Sequence, residues 1–250
     1  MRQMGRIGGI MLCLGALVAL LPVFGQAPAV FNERTVAPSL NVQDREDIWV
    51  LHLRYKEPRV ITVDVPGRGR KIVWYMWYQV FNRTKEPRYF IPDFELKTND
   101  LQTLHQDEVL PAVQEAIRRI EAPTLAADDF KNSVTITEKP IPPTPEDSAP
   151  RAITGVAIWP DVYDRAKDTT HFSVFISGLS NGWAIDENKV IRRKTLQINF
   201  KRPSDGRHYD GRDIFVADVE KWLYRATSVK APPKPGEAPA EPKAEPKAEN

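Results

Sequence analysis

A chain of 250 residues with 42% apolar side chains is long enough to bury a core without crosslinks, and its formal net charge is only +2. That excess comes from Arg2 and Arg6 alone, so beyond them acids and bases balance and give no global case for nucleic acid or an anionic membrane as partner. The single cysteine, Cys13, falls in the same leading stretch, which leaves the rest of the chain without disulfides or thiolate metal ligands.

Arg2 and Arg6 precede an apolar run from Ile7 to Phe24, and Val23-Phe24-Gly25 supplies small residues at the positions a signal peptidase reads. Residues 1–25 are therefore expected to be a secretory signal peptide, with the mature chain starting at Gln26 in the periplasm or outside the cell. An uncleaved membrane anchor is the alternative, since the run approaches spanning length; Pro22 and the small residues after it favour cleavage. Cys13 follows Leu12 rather than the small residue of a lipid-attachment site.

Residues 26–45 are polar and aperiodic and read as an N-terminal linker. From Glu46 to Tyr55 apolar and polar residues alternate as in a strand, and Val60 to Val65 forms a second one. Pro66-Gly67-Arg68-Gly69-Arg70 is a turn feeding the longest aromatic and β-branched run, Lys71 to Phe81. Ile72, Trp74, Met76, Tyr78 and Val80 alternate there with Val73, Tyr75, Trp77 and Phe81, so both faces are bulky and the strand is expected to be covered on both sides. After the polar turn Asn82 to Pro87, Arg88 to Leu96 reads as its antiparallel hairpin partner. Val80-Phe81-Asn82-Arg83-Thr84 with that second aromatic strand resembles the mid-sheet hairpin of immunoglobulin-like domains of secreted bacterial proteins. The resemblance is a pattern and brings no functional residue with it.

Val109, Val113, Ala116, Ile117 and Ile120 recur at helical spacing and predict an amphipathic helix over 107–120, with Asp107 and Glu108 at its start and Arg118 and Arg119 at its end. Its apolar stripe is expected to cover Trp77 with Val113, Ile117 and Ile120. A strand is predicted over Val134-Thr135-Ile136, and residues 139–150 are too proline-rich for sheet or helix and read as an extended loop. Further strands are expected at 152–159, 170–177, 190–201 and 213–225, with turns at Asn181-Gly182 and Asp205-Gly206. Residues 230–250, rich in Pro, Lys, Glu and Ala, predict a disordered tail. The domain itself spans 46–229: mainly β, an antiparallel immunoglobulin-like β-sandwich with one inserted helix.

Four candidate sites emerge, each beside a structural explanation. Gly178-Leu179-Ser180-Asn181-Gly182 matches the nucleophile elbow of α/β-hydrolases, with Asp186 or Asp205 and then His208 following in the required order. The elbow must open a helix, however, and Trp183-Ala184-Ile185 reads as a strand, so a β-turn is expected instead. Asp161, Asp164 and Asp168, and again Asp205, Asp210 and Asp213, lack calcium-loop spacing, and His52, His105, His171 and His208 lack zinc spacing; no metal and no cofactor is expected. Arg68, Arg70 and Lys71, and Arg192, Arg193 and Lys194, suit either a polyanion or edge protection. Tyr75, Trp77 and Phe81 suit either a core or a platform for sugar rings. The expectation is a non-catalytic extracytoplasmic binding or structural module of the cell envelope, its partner an envelope protein or polysaccharide. A carbohydrate-binding module and a Ser180 hydrolase are the alternatives.

Overall fold

The computed structural model describes residues 33–203 and 213–226, all within the unit that begins at Asn32; a separate unit, Met1–Phe31, lies outside them. The signal peptide, residues 26–32 of the linker, the tail 230–250, Asp205, His208 and Asp210 therefore fall outside the described residues.

In chain order the first elements are β1 (Arg34–Val36), β2 (His52–Tyr55), β3 (Arg59–Val65), β4 (Gly69–Phe81), β5 (Asp93–Thr98) and β6 (Leu104–Gln106). Helix α1 (Pro111–Glu121), β7 (Phe130–Lys131), β8 (Ile153–Trp159) and a short α2 (Val162–Ala166) follow. The last are β9 (His171–Ser177), β10 (Trp183–Ile185), β11 (Ile191–Lys201), β12 (Phe215–Val216) and β13 (Lys221–Arg225). They form two sheets, so the chain is mainly β. One sheet runs β1-β2-β4-β8-β7, with β3 beside the first half of β4. The other runs β10-β11-β9-β5-β6, with β12 and β13 along the opposite side of β11. Among the described residues every strand pairs antiparallel with its neighbours except β7 with β8, and the isolated Asn82–Pro143 bridge is parallel.

β4, thirteen residues long, is central because its two faces serve two cores. Trp74, Met76, Tyr78 and Val80 meet Phe94, Leu96, Phe172, Val174, Ile198 and Phe200 of the other sheet. Val73, Tyr75 and Trp77 join Val113 and Ile117 of α1 in a second cluster. Ile120, expected in that contact, is 58% exposed.

Four local expectations are corrected. Lys71–Phe81 and Arg88–Leu96 are not a hairpin: β4 pairs with β2, β3 and β8, and β5 with β6 and β9. The intervening segment crosses between sheets because Asn82 pins it, its Nδ2 donating to Glu86 O (2.7 Å) and Ile141 O (3.0 Å) while Oδ1 accepts from Thr84 N–H. Pro87 and Pro92 also withhold donors from any ladder. The helix starts at Pro111 rather than at Asp107, because Asp107 and Glu108 are recruited to the edge of β8. Ile158 N–H donates to Asp107 Oδ1 (2.6 Å), and Glu108 N–H donates to Ile158 O. Burial raises the Asp107 carboxyl to about 6. Residues 134–136 form no strand, since Thr135–Thr137 is a 3₁₀ turn held by Asn132 Oδ1, which accepts from Val134 and Thr135 N–H. Finally, the linker is only partly a linker: Arg34–Val36 pairs with β2, and Asp44 is nearly buried against Lys194.

Candidate binding surface at one end of the sheets

The G-x-S-x-G stretch is a turn between β9 and β10, and each of its fixed residues has a packing explanation. Gly178 has φ +88°, and a Cβ there would lie 2.0 Å from Ile91 O. A Cβ on Gly182 would meet the Lys194 Cβ at 2.9 Å. Ser180 Oγ donates to Trp49 O (2.8 Å) and accepts from Gly182 N–H (3.0 Å). No helix follows, for Trp183–Ile185 is a strand. Asp186, the candidate acid, binds Arg192 (2.7 Å) and accepts from Asn188 and Val190 N–H, which together hold its carboxyl below the usual range. Among the described residues this hydroxyl is held between two backbone groups with no base in contact, and His208 lies outside them. Fluorophosphonate probes are therefore expected to leave Ser180 unlabelled, and Ser180→Ala to change no esterase activity. Stoichiometric labelling would reinstate the hydrolase.

Tyr75, Trp77 and Phe81, which suit either a core or a sugar platform, are all buried. Tyr75 and Trp77 lie under α1, and Phe81 stacks on His52 with ring centroids 5.1 Å apart. The burial of His52 and the neighbouring Arg83 lower the imidazole pKa. Of the basic runs, Arg68 pairs with Glu108, Lys71 with Asp164, Arg192 with Asp186 and Lys194 with Asp44. Asp161 faces His105 and Arg165 instead of gathering with Asp164 and Asp168. His105 Nδ1 lies 2.9 Å from Asp161 Oδ1, and its Nε2 lies 2.8 Å from Thr103 Oγ1. That Asp–His–Thr chain has a hydrolytic look that sequence spacing did not reveal, and its imidazole is wholly buried.

What the structure assembles instead is an exposed apolar surface, interleaved with arginines, at one end of the two sheets. Ser177 pairs with Asp93, Trp183 with Arg193, and Arg193 with Arg225, so β9, β5, β10, β11 and β13 all present a terminus there. The Val50–Ser180 bridge ties this end to the other sheet. Asn181 reinforces it, its Oδ1 accepting from Trp49 N–H and its Nδ2 donating to Asp47 O. Most exposed large apolar side chains of the described residues lie at this end, among them Leu40, Tyr89, Ile91, Trp183, Ile185 and Ile191. Trp183 is the one tryptophan of six in the exposed class. Arginines lie over the aromatic rings: Arg45 5.1 Å from the Trp183 centroid, Arg88 5.4 Å from Trp49 and Arg83 5.5 Å from Phe81.

Two clefts open here. One, about 360 Å³, runs between Ser180–Trp183 and the Ile191 and Arg193 side chains. The other, about 600 Å³, is lined by Leu40, Trp49, His52, Arg83, Lys85 and Arg88 among others. The local sequence explains little of this, because the 45–51 segment and the β9–β10 turn lie more than a hundred positions apart and meet through the Val50–Ser180 bridge and the hydrogen bonds of Ser180 and Asn181. Compared with protein-family models, with curated proteins and with solved structures, the chain matches none.

Proposed function

We propose that the protein is a non-catalytic, extracytoplasmic module of the cell envelope, an immunoglobulin-like sandwich that binds an envelope protein or polysaccharide through the loop end of its sheets. The observation that carries this reading is the concentration of exposed apolar side chains and aromatic–arginine stacks around two clefts, since soluble chains rarely leave such patches open without use. The extracytoplasmic part rests on the leader, Arg2 to Gly25. The immunoglobulin-like part rests on two largely antiparallel sheets sharing one core.

Co-sedimentation with purified cell-wall polysaccharide, and separately with detergent-extracted envelope protein, tests it. Leu40, 84% exposed, and Lys85, also exposed, border the larger cleft. Leu40→Asp with Lys85→Glu is therefore expected to lower retention on one of the two materials by about tenfold or more while leaving the fold intact. Equal retention of variant and wild type, or none by either material, overturns the proposal.

A further inference from the structure

The outer edge of β10 is an open strand edge at the end of its sheet. Lys194 N–H donates to Gly182 O and Asp186 N–H to Val190 O, with Ala184 opposite Arg192 between them. Bonded and non-bonded pairs alternate along an antiparallel ladder, so Gly182, Ala184 and Asp186 turn their backbone groups toward β11. Trp183 and Ile185 consequently point N–H and C=O away from the sheet, and β10 is the terminal strand of its sheet. Soluble proteins blunt such edges with lysine, proline or a bulge. Trp183-Ala184-Ile185 carries none of these and is blunted only by its three-residue length, and its side-chain face, with Ile191 across the ladder, is apolar and exposed.

We infer that β10 pairs edge to edge with β10 of a second copy of this chain, antiparallel about a two-fold axis at Ala184. This goes beyond the envelope-binding reading and uses only one margin of that surface, leaving the larger cleft open. The register follows from the geometry. Trp183 of each copy lies opposite Ile185 of the other, and the outward N–H and C=O of both residues pair, four main-chain hydrogen bonds in all. On the apolar face the order across the interface becomes Arg193, Trp183, Ile185 and Ile191, repeated in reverse by symmetry. On the other face Ala184 meets Ala184, and each Arg192 is already neutralised by its own Asp186 at 2.7 Å, so no like charges are opposed.

Charge complementarity supports a second copy as the occupant. The exposed turn residue Glu187 of one copy comes opposite Asn181 of the other. Asn181 is bonded to the Asp47–Trp49 segment, next to Arg45, whose guanidinium caps Trp183 and is otherwise only 3.7 Å from Asp47. Two-fold symmetry makes this Glu187–Arg45 approach reciprocal. A symmetric edge thus satisfies its own donors, apolar side chains and charges together.

Sedimentation equilibrium on the full chain is expected to show a monomer–dimer equilibrium. Ile185→Pro removes an outward N–H and leaves the ladder to β11 intact; it is expected to weaken association by about tenfold or more with unchanged near-ultraviolet circular dichroism. As a second reading of register, Ala184→Cys in a Cys13→Ser background is expected to form a disulfide-linked dimer under mild oxidation. Non-bonded antiparallel pairs bring Cα atoms to about 4.5 Å, within disulfide range. Leu101→Cys, exposed elsewhere, is expected to stay monomeric. A strictly monomeric wild type, a dimer insensitive to Ile185→Pro, or failure of the Ala184→Cys crosslink overturns the pairing. A monomer whose retention on envelope material still depends on Leu40 and Lys85 overturns the pairing alone and leaves the binding proposal standing.

Discussion

Trp77→Ala is expected to lower the free energy of unfolding by about 3–5 kcal/mol, the usual cost of removing a core aromatic. Trp77 is buried in the cluster that α1 forms with β4, against Val113 and Ile117, and Lys56 Nζ sits 4.5 Å from its ring centroid. The lysine is itself tied to Glu121 at 3.1 Å, and that carboxylate, 1% exposed, also accepts from Arg59 and the Tyr75 hydroxyl. Removing the indole therefore opens a cavity and loosens the ionic knot that closes the helix C-terminus onto β2 and β3. Ile117→Asp places an unpaired charge in the same contact and is expected to be equally damaging. Ile120→Asp, at an exposed position on the same helix, is expected to stay within about 0.5 kcal/mol of wild type. Urea unfolding of the three variants checks this: a stable Trp77→Ala protein would mean that the helix is not holding the second core.

Asp44→Ala is the second large effect expected, about 3–5 kcal/mol, because it strands a buried ammonium. Lys194 is 0% exposed and donates to Ser39 O (2.7 Å) and to Asp44, while the Tyr224 hydroxyl donates to the other Asp44 oxygen (2.7 Å). The carboxylate thus joins the 37–47 segment to β11 and β13. Burial opposes its ionisation, but the hydrogen bonds from Lys194 and Tyr224 outweigh that and hold its pKa below the usual carboxylate value. The lowered pKa sets the pH dependence: the contribution is complete above the unfolded value near 3.8 and disappears as pH falls through the folded one. The gap between wild type and Asp44→Ala is therefore expected to be constant from neutral pH to mildly acidic pH and to close only below 3.8. Chemical denaturation at several pH values tests it, and a gap that is already lost at neutral pH would refute the buried pair.

Much of the strand content was legible because it depends on local alternation. β3, β4, β8, β9 and β11 fall within a residue or two of the expected spans. The two bulky faces of Lys71–Phe81 already required cover on both sides, and the stripe Val113–Ile117 identified the helix that supplies one of them. The non-helical context after Ser180 was equally local, since Trp183-Ala184-Ile185 alternates too briefly for anything but a strand.

Which strands pair is a different kind of fact. Nothing in Phe81 or Arg88 states that the chain leaves one sheet for the other between them; Asn82 decides it by bonding to Ile141 O, a partner 59 positions away. Asp107 looked like a helix cap and serves β8 instead, because an N–H of Ile158 stands within its reach. The exposed apolar surface is the extreme case. Its residues carry no shared spacing and acquire a common address when Ser180 and Asn181 fasten the 45–50 segment to the β9–β10 turn. Periodicity and composition act between near neighbours and determined the strands, the helix and the doubly covered centre of this protein. Sheet membership, the buried ion pairs and the loop-end surface arise from single hydrogen bonds and charges meeting across long sequence separations, and only the tertiary structure decided those.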